Sequence, residues 1–321
     1  MNTPMSVSLV ITTYNAQAFI MRAVSSALEQ THAPLEIIIV DDCSTDGTPD
    51  LLNRLARAHG SIRVMSTPYN GGPSVARNVG LGAARGDWIA FLDADDAFAP
   101  DRLEGLRARA AAGDCDAVAD DLAYYDAMAG QVTGRAMGAG QVPRTPVGLR
   151  DYIAHNRSGG EGFDWGLLKP VFRREFMLAH AIRYDPVVRH GEDFLLMVAF
   201  LMVGGRFFLI DHATYLYTQR QGSVSRRASG MSRTVIAYRD MHDTALALAR
   251  DPRIRNDPEL VDLLRQRAEG LQRLDDSYFV SVALRAGAVG AIIRRIMRRP
   301  AFLPAMIRQV AAALRRRLCH S

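Results

Sequence analysis

Residues 88–96 read WIAFLDADD, an uninterrupted apolar run followed by three acids within four residues. Such a run is typical of a strand that is buried on both faces of a parallel sheet. Carboxylates repel one another and are costly to bury unpaired, so three of them at a strand end indicate a bound cation, and oxygen-rich sites suit Mg2+ or Mn2+. The alternative interpretation is a solvated helix N-cap, because Asp is favoured at caps and in first turns.

Strands and helices alternate over residues 7–123. Apolar and amphipathic patterns predict strands at 7–11, 35–40, 62–65, 88–93 and 117–123, and helices at 16–30, 49–59 and 101–112. Residues 70–78 predict a glycine-rich turn that opens a further helix, and residues 134–146 predict a loop. The alternation predicts an α/β fold with a Rossmann-like, mostly parallel sheet flanked by helices.

Polar residues follow three of these strands where each strand ends, at Tyr14-Asn15, Asp41-Asp42 and Asp93-Ala94-Asp95. In a parallel sheet these ends face one crevice, which is where ligands bind. The sequence contains neither a G-x-G-x-x-G fingerprint after the first strand nor a G-x-x-x-x-G-K-[ST] phosphate loop. A nucleotide in this crevice would therefore need a metal ion and Arg77 for its phosphates.

Three later segments carry candidate substrate-binding residues. Residues 156–166 are rich in glycine and predict either a lid over an acceptor, with Trp165 as a stacking surface, or an ordinary surface loop. Glu192 and Asp193 precede an apolar helical stretch at 195–203, where one carboxylate could act as a general base or both could simply suit the helix dipole. Residues 215–225, which include Arg220, predict a polar segment that closes over phosphates.

Composition indicates a reduced, cytosolic globular protein. Apolar residues make up 48% of the 321 residues, and the three cysteines are scattered without the spacing of metal ligands. No secretory signal is visible, and no apolar run reaches the roughly 18 residues expected of a membrane-spanning helix.

The net charge of +5 belongs to the C-terminal tail. Residues 285–321 hold nine Arg and no acid, which leaves 30 basic and 34 acidic residues in the rest of the chain. From about residue 230 helical patterns dominate, and 291–299 and 305–318 are amphipathic and basic. They predict either a packed tail with solvated arginines or interfacial helices attracted to anionic lipid. Nucleic acid is not an expected partner, because the tail has no aromatic residue other than Phe302 and the body is acidic.

Five motifs in this chain resemble, in their order, those of glycosyltransferase family 2. They extend over residues 6–225, and their combination is specific although each is weak alone. The motifs are VITTYN at 10–15, IVDDCSTDGT at 39–48, NGG at 70–72 with ARN at 76–78, FLDADD at 91–96 and GED at 191–193. Within the family, the chain is similar to bacterial exopolysaccharide glycosyltransferases of the succinoglycan type.

The resemblance implies a GT-A fold, and the chain is expected to divide where the strand–helix alternation ends. The glycosyltransferase domain is expected over residues 1–228, with a nucleotide-sugar half at 1–122 and an acceptor half at 123–228. A helical, basic C-terminal extension is expected over residues 229–321.

The resemblance also implies roles for individual residues. Thr13, Tyr14 and Asn15 would line the nucleoside pocket, and Asp41 or Asp42 would hydrogen-bond the base. Arg77 would reach the base or the pyrophosphate, Asp93 would lie near the ribose, and Asp95 would bind Mg2+ or Mn2+. Asp193 would be the catalytic base. For Asp96 alone, the residues themselves keep the interpretation of a helix cap. Contacts with an acceptor or a lid are expected from Glu192, Trp165 and Arg220.

The implied function is inverting, metal-dependent transfer of one sugar from a UDP-hexose to a hydroxyl of a glycan or lipid-linked oligosaccharide, in bacterial surface or exopolysaccharide synthesis. The Gln-x-x-Arg-Trp motif of processive synthases is missing, which favours one sugar per encounter. The expected location is the cytoplasm, peripheral on the inner face of the plasma membrane through residues 286–318. The alternative is a non-catalytic nucleotide-binding or scaffolding protein of the same fold at the membrane surface.

Overall fold

The computed structural model describes residues 5–138, 140–156, 163–219, 237–299, 302–303 and 307. The chain divides into two compact units, one formed by Met1–His155 with Gly162–Arg220 and the other by Asn156–Glu161 with Gln221–Ser321. The domain boundary predicted at residue 228 lies outside the described residues.

The first unit is built on a sheet of nine strands with helices along it. The strands are β1 (Val7–Thr13), β2 (Glu36–Asp41), β3 (Ile62–Ser66), β4 (Trp88–Asp93), β5 (Ala97–Phe98), β6 (Ala117–Asp126), β7 (Gln131–Arg135), β8 (Val171–Arg173) and β9 (Phe207–Gln219). The helices are α1 (Ile20–Leu28), α2 (Thr48–Ala58), α3 (Pro73–Ala83), α4 (Arg102–Ala110), α5 (Leu149–Ala154), α6 (Arg174–Ala179) and α7 (Glu192–Met202). The strand order is β3-β2-β1-β4-β8-β6-β9-β5, and β7 pairs with β6.

The N-terminal strands form the parallel part of the sheet. β1 lies between β2 and β4 and pairs in parallel with both. All of β2 and the first five residues of β4 are buried, as expected for strands covered on both faces. β6 and β9 form a second long parallel pair, whereas three antiparallel pairings join only two residue pairs each. The predicted α/β class with a Rossmann-like, mostly parallel sheet is confirmed.

The strand β9 differs most from the sequence-based prediction. Residues 215–225 are predicted from the sequence as a polar segment that closes over phosphates, but β9 continues to Gln219 and pairs with both β5 and β6. Register shifts in its pairing with β6 interrupt the alternation of buried and exposed residues, so the sequence shows no clear strand period. β7 ends at Arg135, two residues into the predicted loop at 134–146, and is mostly exposed, so no apolar pattern marks it.

The second unit is helical in the part that the structure describes, with α8 (Tyr238–Leu248), α9 (Pro258–Arg285) and α10 (Val289–Arg298). A buried apolar cluster joins α9 to α10 and consists of Val280, Ala283, Ile292 and Phe302. Arg295 of α10 pairs with Asp275 and Asp276 of α9, and Arg299 pairs with Asp276. Acids of α9 therefore neutralise part of the positive charge that the sequence assigned to the tail.

The predicted helical extension is present, and its basic helix at 291–299 corresponds to α10. The second predicted basic helix, 305–318, lies outside the described residues except for residue 307. Among the helices that are described, none combines the length and the apolar character needed to cross a bilayer.

Candidate active site

Two loops at the carboxyl ends of β1 and β2 are tied to each other. Asn15 has a φ of 48°, in the left-handed region that Asn tolerates better than most residues. Its N–H donates to Ser44 Oγ and its Oδ1 accepts from the Thr45 N–H, both over 2.8 Å. Ser44 also donates, through its N–H and its hydroxyl, to the buried carboxylate of Asp41. Asn15 and Asp41, two of the predicted donor-binding residues, therefore fix the shape of these loops.

Thr13 and Tyr14 present unused groups at the same edge of the sheet. Thr13 Oγ1 is buried and has no hydrogen-bond partner among the described residues, although buried hydroxyls are normally paired. Tyr14 is 50% exposed. An unpaired hydroxyl beside an exposed ring suits a nucleoside pocket, and the assignment of both residues to that pocket stays a prediction.

Asp42 holds the glycine-rich turn that precedes α3. Its carboxylate accepts hydrogen bonds from the Gly71 N–H (3.0 Å), the Gly72 N–H (2.7 Å) and the Thr67 hydroxyl (2.8 Å). Gly72 is the N-cap of α3 and has a φ of 84°, a conformation that favours glycine. The three contacts organise the turn, and the predicted hydrogen bond from Asp42 to the base stays a prediction.

Three acids and two cations converge between the end of β4 and the start of α7; this acid–cation cluster consists of Arg77, Asp93, Lys169, Glu192 and Asp193. Arg77 donates from Nη2 to Asp93 Oδ1 and from Nη1 to Glu192 Oε1, both over 2.7 Å. Lys169 Nζ lies 3.0 Å from Asp93 Oδ2 and 2.6 Å from Asp193 Oδ2. Lys169 therefore forms ion pairs with both Asp93, the predicted ribose-side acid, and Asp193, the predicted base.

Both cations of the cluster are withdrawn from solvent, with side-chain exposures of 4% for Arg77 and 7% for Lys169. Burial alone would raise the pKa of Asp93, but Lys169 and Arg77 outweigh it and hold that pKa well below its ordinary value. Burial alone would lower the pKa of Lys169, but Asp193 and Asp93 outweigh it and hold that pKa well above its ordinary value. Asp93 therefore stays ionised and Lys169 stays protonated at neutral pH. The guanidinium of Arg77 is bound to Asp93 and Glu192 of this cluster. Its expected contact with the base or the pyrophosphate stays a prediction.

Tyr184 completes the surroundings of Asp193. Its hydroxyl donates to Asp193 Oδ1 over 3.1 Å, and its ring packs edge-on against Phe91 with the centroids 5.5 Å apart. The Asn78 side chain fixes the backbone of Tyr184 by donating to its carbonyl over 2.7 Å and accepting from its N–H over 2.9 Å. Each oxygen of the Asp193 carboxylate is therefore held by a group that is itself fixed in place.

Asp96 has a different role from the helix cap expected from the sequence. Its carboxyl accepts from the Tyr215 hydroxyl and the Thr218 N–H, both over 2.8 Å. Burial raises the pKa of Asp96 well above its ordinary value, and the carboxylates of Asp95 and Asp93 raise it further. The expectation of a cap was wrong, because α4 begins only at Arg102 and Asp96 is buried against β9.

Asp95 is the acid of this motif best suited to a metal ion. It is partly exposed, whereas Asp93 is engaged by two cations and Asp96 resists ionisation. Within the described residues, no group of three or more His, Cys, Asp or Glu side chains could enclose a metal. A single carboxylate fits an ion such as Mg2+ that takes further ligands from substrate phosphates. A divalent ion at Asp95, bound together with a nucleotide diphosphate, stays a prediction.

The remaining predicted residues lie in three different situations. Glu192 belongs to the cluster through Arg77. Trp165 is only 3% exposed, and its ring stacks on His155 with the centroids 3.9 Å apart. It is therefore an interior residue and not the exposed stacking surface that we expected, because burying the indole against His155 removes its large apolar area from water. Arg220 and residues 157–162 of the predicted lid lie outside the described residues.

Three residues of the site, Lys169, Tyr184 and Tyr215, were not predicted from the sequence. Lys169 carried a compositional signal, since it is the single lysine beside 38 arginines. The tyrosines carried no local signal, because the acids they contact lie 9 residues away for Tyr184 and 119 residues away for Tyr215.

In comparisons with known sequences, the chain matches a family model and aligns over most of its length with two relatives. Residues 8–175 match the family model described as Glycosyl transferase family 2. The succinoglycan biosynthesis protein ExoO of Rhizobium meliloti (strain 1021) is 37% identical over 68% of this chain and 62% of its own length. The succinoglycan biosynthesis protein ExoU of the same organism is 31% identical over 96% of this chain and 88% of its own length. The chain thus spans less than two thirds of ExoO and most of ExoU.

Two solved structures share the fold. S. aureus TarS, in complex with UDP-GlcNAc, superposes with a TM-score of 0.63 at 22% identity, over 86% of this chain and 80% of that one. The mannosyltransferase PcManGT from Pyrobaculum calidifontis, in complex with GDP-Man and Mn2+, superposes with a TM-score of 0.56 at 18% identity, over 98% of this chain and 87% of that one. At these identities the likeness establishes the fold alone.

Proposed function

The chain belongs to glycosyltransferase family 2, and from this premise we propose that it transfers one sugar from a UDP-hexose to a hydroxyl of a glycan or lipid-linked oligosaccharide, with inversion and with a divalent metal ion. The product would be part of a bacterial surface or exopolysaccharide, as the names of ExoO and ExoU indicate for those relatives. The observation that carries the proposal is the position of Asp193, which shares the ammonium of Lys169 with Asp93 at the end of β4.

Asp193 is the proposed general base. An acceptor hydroxyl has a pKa far above neutral and must lose its proton as it attacks the sugar, and a positioned carboxylate can accept that proton. Attack from the side opposite the leaving nucleotide inverts the anomeric carbon in one step. No second carboxylate is then needed as a nucleophile, in contrast to retaining glycosidases.

The donor is proposed to lie across the carboxyl ends of β1, β2 and β4. Thr13, Tyr14 and Asn15 would contact the nucleoside, with Asp41 or Asp42 at the base and Asp93 on the ribose side. The loops that carry these residues are already fixed by internal hydrogen bonds, which reduces the ordering cost of binding. Asp95 would hold the Mg2+ or Mn2+ ion, which when bound stabilises the negative charge that develops on the departing diphosphate.

A donor screen tests the proposal with the full chain. Thermal unfolding is followed with UDP-glucose, UDP-galactose, UDP-GlcNAc and GDP-mannose, each with and without Mn2+, because a ligand that binds only the native state raises the melting temperature. We expect a UDP-sugar to raise it only when Mn2+ is present. That sugar should then be transferred to a lipid-linked glycan extract with release of UDP, and NMR of the product should show the inverted anomer. Binding without transfer would contradict the proposal and support the non-catalytic alternative.

We also propose that the enzyme works at the inner face of the plasma membrane and that α10 contacts it. Val289, Ile293 and Met297 are 57%, 54% and 80% exposed and recur every four residues, so they form one apolar stripe along the helix. Arg294 and Arg298 are also exposed, whereas Arg295 and Arg299 are paired with acids of α9. An apolar stripe beside exposed arginines suits an anionic lipid surface, where each basic residue contributes about 1 kcal/mol.

Placing two carboxylates on this stripe should weaken membrane binding. We expect the variant Ile293→Glu/Met297→Glu to bind vesicles containing phosphatidylglycerol at least about tenfold more weakly than the wild type, since each change removes apolar contact and adds repulsion. Co-sedimentation measures the effect. Met128→Glu, at a residue that is 89% exposed in the first unit, is the matched control and should bind as the wild type does. Equal binding of all three proteins would contradict the role of α10.

A further inference from the structure

Lys169 joins the two sides of the acid–cation cluster. Its ammonium lies within 3.0 Å of an oxygen of Asp93 and 2.6 Å of an oxygen of Asp193, and only 7% of its side chain is exposed. An ammonium group has three donors and no acceptor, so it can bind two carboxylates at once and offset the repulsion between them. Lys169 is therefore a direct connection between the donor side of the site and the proposed base.

The backbone of Lys169, like its ammonium group, is bound by a charged side chain. Arg102 Nη2 donates to the Lys169 carbonyl over 2.7 Å. Arg102 is itself fully buried and paired with the buried carboxylate of Asp120 over 2.8 Å. Lys169 is thus fixed at both ends, which limits the positions that its ammonium can reach.

The choice of lysine and not arginine at position 169 is unusual for this chain. With 38 arginines and a single lysine, arginine is the usual cation of this sequence wherever a cation is needed. A guanidinium is planar and prefers to grip one carboxylate with two parallel bonds, whereas an ammonium is a compact point charge. At this position, between two carboxylates, the chain thus carries a compact positive charge in place of its usual guanidinium.

The two acids depend on Lys169 to different degrees. Asp93 has a second close cation, because Arg77 Nη2 lies 2.7 Å from its Oδ1. Among the described residues, the next cation for Asp193 is Arg77, whose Nη1 lies 3.6 Å from Asp193 Oδ1 and thus beyond hydrogen-bond distance. Removing the ammonium would thus leave Asp93 held by Arg77, whereas Asp193 would lose the partner of its Oδ2 and keep the Tyr184 hydroxyl on its Oδ1.

We propose that Lys169 is a positioning residue for sugar transfer, whose ammonium holds the Asp193 carboxylate next to Asp93 so that the base faces the bound donor and acceptor. This inference rests on the proposed function of Asp193 as the base. It predicts that Lys169 acts on the transfer step through Asp193 and contributes little to donor affinity.

The first test observes the ammonium group directly. Because Lys169 is the only lysine in the sequence, full-length protein grown with lysine labelled with 15N at Nζ and carrying no lysine in its tag gives one ammonium signal. We expect Asp193→Asn and Asp93→Asn each to shift this signal, because each removes a charged partner. Arg206→Met, which breaks an ion pair with Asp116, is the control and should leave it in place. A signal at the position of freely solvated lysine, unmoved by Asp193→Asn, would overturn the proposal even if Lys169 variants fail to fold.

The second test is a double-mutant cycle in the transfer assay, with the donor that the wild type uses in the screen. We expect Lys169→Met to lower kcat by about 10²-fold, the effect of a misplaced catalytic group, with donor KM within about threefold of the wild type. In the Asp193→Asn background the same change should cost no more than about threefold, because the group through which Lys169 acts is already lost. Lys169→Arg keeps the charge and should recover part of the lost kcat.

The outcomes separate this proposal from the proposed function. If Asp193→Asn lowers kcat strongly and Lys169→Met lowers kcat by the same factor in the wild type and in the Asp193→Asn background, Lys169 does not act through Asp193 and the inference is wrong. The inference is also wrong if Lys169→Met keeps the wild-type kcat while Asp193→Asn loses most of its activity. If Asp193→Asn itself retains full activity, the role of Asp193 fails and the inference fails with it.

Discussion

Replacing Asp193 by Asn should strongly slow sugar transfer and leave donor binding intact. The amide keeps the size of the side chain and can still accept a hydrogen bond from Lys169, but it cannot take the proton of the acceptor hydroxyl. Loss of a general base costs typically about 10²–10⁴-fold in rate, so we expect kcat to fall by that factor. Calorimetric titration with UDP and Mn2+ measures binding, and release of UDP from the active donor measures turnover.

The control for this variant is a carboxylate outside the crevice. Asp114 pairs with Arg109 at 2.6 Å, and its side chain is 55% exposed, so Asp114→Asn should keep the wild-type kcat. Unchanged turnover in Asp193→Asn would remove Asp193 from the role of base. A simultaneous loss of UDP binding would instead indicate that the variant disturbs the fold of the cluster.

The parallel core of the fold could be predicted because its signal is local. β1, β2 and β4 are apolar runs buried on both faces, and polar residues follow each of them directly. The membership in glycosyltransferase family 2 confirms the resemblance drawn from these motifs. β8 and β9 could not be predicted in the same way, because β8 has three residues and β9 changes register against β6. Their existence depends on partners that are distant in sequence.

The composition of the site could be predicted better than its contacts. Motif spacing identified Arg77, Asp93 and Asp193, which the structure brings together around Lys169. It did not reveal that Arg77 bridges to Glu192, which lies 115 residues further along the chain. The role of Asp96 was missed for the same physical reason, because its partners Tyr215 and Thr218 enter from β9. The periodicity of a sequence indicates which face of a helix or strand is buried. It does not indicate which side chains from distant parts of the chain contact that face.

Replacing Asp95 by Asn should remove the dependence of donor binding and turnover on Mn2+. A neutral amide is a much weaker ligand for a hard divalent cation than a carboxylate. The neighbouring acids offer no substitute, since Asp93 is bound by Arg77 and Lys169 and the pKa of Asp96 is raised by burial. Because electrostatic stabilisation of a leaving group is worth several kcal/mol, we expect kcat to fall by at least about 10²-fold.

Thermal shift and turnover with increasing Mn2+ give the measurement. In the wild type, UDP should raise the melting temperature more with Mn2+ than with EDTA, whereas in Asp95→Asn the two conditions should agree. Asp114→Asn is again a suitable control, because its exposed pair with Arg109 is unrelated to the motif of residues 93–96. If Asp95→Asn keeps a normal, Mn2+-dependent kcat, the metal is bound elsewhere and Asp95 is not the metal ligand. If EDTA leaves wild-type turnover unchanged, the enzyme stabilises the leaving diphosphate without a metal, and the cations of the crevice must supply that charge.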